Sequence, residues 1–218
     1  MSRMIHRDLV LQRGGATLPG DLMLPPRASG LVIFAHGSGS SRLSPRNREV
    51  ASALNEAGLA TLLFDLLTEE EGRRRECVFD IPLLSRRLDE ATRWALAEAD
   101  TRTLPIGYFG ASTGAAAALR AAAGADDTVR AVVSRGGRPD LAADSLPRVT
   151  APTLLLVGER DPEVLELNRG AARLLRCPHR LIVVAGATHL FTEPGALAAV
   201  AELACDWFVE HLAVTHGE

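Results

Sequence analysis

Ile106-Gly107-Tyr108-Phe109-Gly110-Ala111-Ser112-Thr113-Gly114-Ala115-Ala116-Ala117-Ala118-Leu119 is the stretch on which the reading of this chain turns. Ile106–Phe109 is a short apolar run suited to a buried strand, and Ala115–Ala123 is rich in the best helix former. Between them, Gly110-Ala111-Ser112-Thr113-Gly114 matches Gly-x-Ser-x-Gly in a strand–turn–helix setting. Small residues at Gly110 and Gly114 let neighbouring backbone come close, and a sharp turn lifts the serine hydroxyl above the strand ends. Ser112 is therefore the expected nucleophile; the bland alternative is an ordinary Gly/Ser turn.

A serine hydroxyl is a weak nucleophile at neutral pH and needs a base. Downstream, Val183-Val184-Ala185-Gly186-Ala187-Thr188-His189 reads as a strand and a short loop ending in a histidine, so His189 is the expected base. His6 lies in the first strand, His179 precedes a strand at the opposite sheet edge, and His211 and His216 lie at the C-terminus. The base needs a carboxylate to fix its tautomer. Leu154–Val157 is a strand that runs into Gly158-Glu159-Arg160-Asp161, which points to Asp161. The competing role for Asp161 is N-cap of the helix opened by Pro162. Glu159, Glu163 and Asp140 are rival acids. Attack on a carbonyl also requires backbone N–H donors for the oxyanion. One is the N–H of Thr113. The second is expected in His36-Gly37-Ser38-Gly39-Ser40-Ser41, at Ser38 first and Gly39 second, with His36 holding the loop by hydrogen bonds rather than acting as a base.

The rest of the chain alternates in the same way. His6–Gln12 and Ala16–Leu24 read as a hairpin around Gly14-Gly15. Leu31–Ala35, Leu59–Phe64, Ala131–Ser134, Thr153–Val157 and Leu181–Val184 read as strands, several of them continuously apolar as in a parallel sheet covered on both faces. Pro45–Ala57, Pro82–Ala99, Pro162–Leu175 and Pro194–Leu212 read as helices, the first with Ser44 as N-cap and Gly58 past its end. This predicts one α/β domain over residues 1–218, with a mostly parallel central sheet, an antiparallel N-terminal hairpin and helices on both faces. The connection from Gly136 to Pro152 is too short for a cap domain, which suggests a shallow, open pocket. Glu69-Glu70-Glu71 and Arg73-Arg74-Arg75 nearly neutralise each other and read as a solvated loop.

Composition narrows the chemistry. The chain has 218 residues, 47% of them apolar, and a net charge of −3, so a basic nucleic-acid surface is not expected. It contains no lysine, which excludes Schiff-base, phosphate-loop and Ser-Lys chemistry. Cys77, Cys177 and Cys205 have no metal-type spacing and read as reduced, buried thiols. Charges in MSRMIHRDLVLQR where a signal peptide needs an apolar core, and the absence of a run of about 20 apolar residues, suggest a cytoplasmic protein without membrane partners.

LVIFAHGSGSSRLSPRNREVA, ATLLFDLLTEEE, GYFGASTGAAAAL, VVSRGGRPDLA and TLLLVGERD together resemble the α/β-hydrolase superfamily, and within it the small, capless, dienelactone hydrolase-like bacterial enzymes. The resemblance implies an α/β-hydrolase fold, a Ser112, Asp161 and His189 triad and hydrolysis of small esters, with no metal or organic cofactor. The dienelactone hydrolases proper use cysteine where this chain has Ser112, so simple carboxylic esters are the expected substrates. Thioester, lactone or amide cleavage on the same triad, and a non-catalytic binding protein with this fold, are the alternatives. Arg42, Arg46, Asn47 and Arg48 follow the oxyanion loop, and Arg135 ends a strand nearby. Arg46 and Arg135 are candidate contacts for a carboxylate or phosphate on a substrate. The competing expectation is solvation for the group around Arg46 and an internal ion pair for Arg135.

Overall fold

The computed structural model describes residues 4–13 and 15–213. Gly14, half of the expected turn, and His216 lie outside the described residues. The strands are β1 (Ile5–Arg13), β2 (Ala16–Leu24), β3 (Leu31–Ala35), β4 (Ala60–Phe64), β5 (Ile106–Ala111), β6 (Val129–Arg135), β7 (Thr153–Gly158) and β8 (His179–Val184). They form an 8-stranded sheet in the order β1-β2-β4-β3-β5-β6-β7-β8. β1 and β2 pair antiparallel, β2 joins β4 antiparallel, and every pairing from β4 to β8 is parallel.

Every residue of β3, β4, β5 and β7 is buried, the pattern of strands covered on both faces. Their side chains alternate between two cores. Leu31, Ile33, Ile106 and Tyr108 point to one, and Val32, Phe34 and Phe109 to the other. The first core is roofed by helices α4 (Ile81–Ala97), α5 (Thr113–Ala122) and α6 (Pro162–Leu174); the second by α1 (Pro45–Glu56) and α7 (Ala196–Leu212). No cap domain covers the sheet; the segment from Gly136 to Pro152 holds only the short 3-10 turns Pro139–Ala142 and Leu146–Arg148.

Local chemistry sets the helix starts. Ser44 Oγ accepts from the Asn47 N–H and Pro45 opens α1, as expected, while Gly58 follows at φ +83°. α4 starts one residue before the expected Pro82, because the Asp80 carboxylate accepts from the Leu83 N–H. The stretch read as a solvated loop is instead two short helices, α2 (Glu69–Gly72) and α3 (Arg75–Val78). Thr68 and Glu71 form a reciprocal capping box, and Glu71 also reaches Arg87 on α4 at 3.2 Å. Charge balance alone did not reveal that capping signal. His179 opens β8, the edge strand whose far end leads to His189. All three cysteines are unpaired; Cys177 is buried, but Cys77 and Cys205 are partly exposed, against expectation. Among the described residues no helix is long and apolar enough to cross a membrane.

Candidate active site

The loops leaving the carboxyl ends of β3, β5, β6, β7 and β8 carry the residues singled out above, which is where open α/β sheets place ligands. Ser112 sits between β5 and α5 at φ 52° and ψ −120°, a backbone conformation that costs a non-glycine residue roughly 1–3 kcal/mol. Surrounding bonds hold it there. Its N–H donates to the Arg135 carbonyl at 3.2 Å, and its own carbonyl accepts from the Ala115 and Arg138 N–H groups, each at 3.1 Å. The flanking glycines are sterically required. A Cβ on Gly114 would overlap the carbonyl oxygens of Ala35 and His36, and one on Gly110 would overlap Ala115. A Cβ on Gly37 would come within 3.0 Å of Ser112 Cβ, so the loop after β3 lies directly against the turn.

His36 fixes that loop. Its Nε2 accepts the Leu66 N–H at 2.9 Å, so the ring proton resides on Nδ1 and is donated to the Gly37 carbonyl at 3.0 Å. Both ring nitrogens are thereby used, and burial holds its pKa below the usual histidine value. Beyond it, neither the Ser38 N–H nor the Thr113 N–H, at the start of α5, has an acceptor among the described residues. Gly39 stands at φ +65° on the same loop.

Asp161 and His189 come together from β7 and β8. The ring Nδ1 of His189 donates to Asp161 Oδ2 at 2.6 Å, which leaves Nε2 as the free acceptor. Asp161 does occupy the N-cap position of α6, yet its side chain makes no cap hydrogen bond; the carboxylate is committed to the histidine. The rival acids are engaged elsewhere or exposed. Asp140 is held by a bidentate contact from Arg138, Glu159 accepts the Gly186 N–H at 2.7 Å, and Glu163 is exposed on α6. Ser112 and His189 line one cavity of about 230 Å³ together with Gly37, Ser38, Arg46 and Arg135. No hydrogen bond joins the Ser112 hydroxyl to His189; catalytic hydrogen bonds commonly tighten only once substrate is in place.

Two braces on the histidine loop escaped the sequence reading. Glu193 accepts both the Thr188 N–H at 3.1 Å and the Thr188 hydroxyl at 2.6 Å, and these bonds hold its carboxyl below the usual range. Glu159, weighed only as a rival acid, ties down Gly186. Neither brace has a sequence signature beyond an acidic residue near the loop. A second cavity, of about 680 Å³, shares Gly37, Ser38 and Ser40 with the first and is lined also by His36, Thr113, Asp65, Thr68 and Val78. α2 and α3 supply part of its wall, and neither Ser112 nor His189 lines it.

The arginines divide into two groups. Arg42 pairs with Asp65 at 2.8 Å and Asp21 at 3.6 Å and is partly buried, while Arg48 pairs with Asp21 at 3.0 Å but remains exposed to solvent. Arg135, for which an internal ion pair was the competing expectation, makes no ion pair or side-chain hydrogen bond among the described residues. The one cluster of metal-type side chains among the described residues is His6, Asp8 and Asp21 on the β1–β2 hairpin, away from the residues lining the Ser112 cavity, and Asp21 is already paired with Arg42 and Arg48.

An eight-stranded, largely parallel sheet with a strained serine between β5 and α5 and an Asp–His pair at neighbouring strand ends defines the α/β-hydrolase class. The alpha/beta hydrolase domain family matches residues 28–202, and the chain belongs to that family, among its dienelactone hydrolase-like members. The dienelactone hydrolase of Anabaena variabilis is 53% identical and superposes with a TM-score of 0.94, covering 97% of this chain and 100% of that one. Est1E of Butyrivibrio proteoclasticus, at 19% identity, shares the fold with a TM-score of 0.81, covering 94% of this chain and 99% of its own. Proteins of two Mycobacterium tuberculosis strains, named as phosphoribosyl transferases, are 61% identical over 199 residues, which is 91% of this chain. The chain spans 45% of their length.

Proposed function

We propose that the chain is a serine hydrolase that cleaves carboxylic esters of small molecules through an acyl-enzyme. One observation carries this reading: His189 Nδ1 is anchored to Asp161 Oδ2 at 2.6 Å on the wall of the cavity that the strained Ser112 also lines. In the proposed reaction Ser112 Oγ bonds to the ester carbonyl carbon as its proton passes to His189 Nε2. The carbonyl oxygen takes the negative charge between the N–H groups of Thr113 and Ser38, where each such donor is worth about 3–4 kcal/mol in the transition state. The C–O bond to the alcohol then breaks, and His189 returns the proton to the departing oxygen. Water repeats the sequence and releases the acid. Asp161 holds the ring and stabilises the imidazolium. In this reading residues 1–218 act as one catalytic domain of a cytoplasmic protein, and neither metal nor organic cofactor enters the reaction.

The name of the mycobacterial relatives suggests transfer chemistry, but the cavity that Ser112 and His189 share favours hydrolysis for this chain. The test is covalent labelling by a fluorophosphonate probe together with turnover of p-nitrophenyl acetate. Ser112→Ala is expected to lose both while keeping its circular-dichroism spectrum. Undiminished turnover in that variant would remove Ser112 from the mechanism.

A further inference from the structure

Arg135 ends β6, paired in the sheet with Ala111, the residue before the nucleophile. Its side chain is only 8% exposed, and its Nη1 is buried without a hydrogen-bond partner. The nearest charge that acts on it is another cation, Arg46, whose Nε is likewise buried and unpartnered. Arg46 comes from the first turn of α1, and both line the cavity of Ser112 and His189, as does Asn47. Asn47 is 2% exposed and its amide oxygen has no hydrogen-bond partner. No carboxylate lines this cavity. Glu49 and Glu193 flank Arg46 on its other side, in a neighbouring cavity, without forming an ion pair with it.

A buried guanidinium without an anion is costly, and a second guanidinium beside it adds repulsion. Burial and Arg46 together bring the pKa of Arg135 down to about 10, so it is still a cation at neutral pH. The fold has carboxylates to spare nearby, and it uses Asp21 and Asp65 to pair Arg42 and Arg48 on the other flank of the loop. An arrangement that neutralises one set of arginines and leaves the other bare beside the reactive serine is built for a ligand that brings its own negative charge. Guanidinium forks match the two oxygens of a carboxylate or phosphate.

We propose that Arg135 and Arg46 form an anion subsite, and that the substrates of this enzyme are esters carrying a compact oxyanion group, carboxylate or phosphate, next to the scissile bond. The inference rests on the ester-hydrolase reading and specifies its substrate class. The anion docks between the two guanidiniums and places the ester carbonyl over Ser112. The partnering also relieves the desolvated charge, so binding energy is spent on orientation.

The experiment compares p-nitrophenyl acetate with the mono-p-nitrophenyl ester of succinic acid, and measures inhibition of acetate-ester turnover by succinate and by inorganic phosphate. The wild type is expected to favour the anionic ester in kcat/KM by tenfold or more. Arg135→Gln and Arg46→Gln are each expected to erase most of that preference through KM. Inhibition by succinate alone identifies a carboxylate site, and by phosphate alone a phosphate site. Equal kcat/KM for the two esters with no inhibition by either anion overturns the proposal. So does a fall in kcat alike on both esters, which would place Arg135 at the reaction centre. Fluorophosphonate labelling of the same wild-type sample separates the two levels. A labelled enzyme without anion preference loses only the subsite. An unlabelled protein loses the hydrolase reading, and succinate or phosphate binding by calorimetry then decides the subsite alone.

Discussion

The turn that carries Ser112 and the loop that carries His189 share close backbone packing but differ in the side chains that brace them. Around Ser112 the contacts are backbone against backbone. Gly114 lies on the Ala35 and His36 carbonyls and Gly110 on Ala115, with no room for a side chain at either, and Gly37 fits tightly against Ser112. Around His189 the backbone is packed as closely, a Cβ on Gly158 overlapping the Ala187 and Thr188 carbonyl oxygens, but side chains add to it: Glu159 reaches Gly186, Glu193 reaches Thr188, and Asp161 holds the imidazole. The first arrangement fixes a position and leaves no room for a Cβ at Gly110 or Gly114. The second fixes an orientation through bonds that can lengthen and re-form. A nucleophile that must be presented at one point and a base that must follow a moving proton call for this division.

The sharpest way to separate the two regions is to break the histidine side without touching the fold. Asp161→Asn leaves the cap of α6 unaffected, because the carboxylate makes no cap bond, but it forfeits the charge and the tautomer control at Nδ1. Turnover of p-nitrophenyl acetate should fall by about 10³–10⁴ with an unchanged melting temperature. If Glu163→Gln proves the more damaging change, the acid has been misassigned. The opposite outcome is expected on the serine side. Gly114→Ala drives a methyl group into main-chain oxygens that cannot move without displacing β3, and should cost about 4 kcal/mol or more in chemical denaturation. A normally stable Gly114→Ala protein would show that the turn is not locked by backbone contact.

The same contrast explains what the sequence made legible. Contacts that admit only glycine leave glycine in the sequence, so Gly110 and Gly114 marked the serine turn. Strands covered on both faces leave unbroken apolar runs, so Leu31–Ala35 and Thr153–Val157 stood out. Asp161 was singled out because it follows such a strand, and His189 because it follows β8, an edge strand marked only by its shorter apolar run. The braces left no comparable trace, since a glutamate that accepts a loop N–H looks like any surface glutamate. Glu193 was missed and Glu159 was considered only for a role it does not fill. Charge pairing was equally silent. Arg135 could have had an internal carboxylate as its partner, and only the arrangement of β6 against α1 reveals that it faces Arg46 instead. The Glu/Arg-rich segment was misread for the same reason, because a capping box and a bond to Arg87 depend on where α4 lies.

A gentler test on the histidine loop is Glu193→Gln. The amide keeps the shape but weakens the bonds to Thr188, which are strong because the carboxylate is charged. Turnover should fall about fivefold, the order expected for one weakened hydrogen bond, with no change in fluorophosphonate labelling of a serine whose own support is untouched. Equal damage to labelling would mean that the two regions are mechanically coupled and that the division drawn between them is too clean.

The smallest expected effect lies on the serine side and appears only with pH. His36 is buried and neutral, with Nδ1 donating to Gly37 and Nε2 accepting from Leu66, so adding a proton at Nε2 breaks the bond to the Leu66 N–H. Its folded pKa is lowered by burial, which means that the unfolded chain takes up this proton first as pH falls. Its contribution to stability is therefore fully present above the unfolded value of about 6.5 and is lost as pH drops through the lower folded value. His36→Gln carries no titrating ring. Denaturation midpoints measured from pH 7.5 down to 5 should converge, the wild type losing its advantage over the variant as acid is added. Parallel curves would show that the ring is protonated in the folded state with no penalty, and that the loop against Ser112 is looser than the histidine loop it faces.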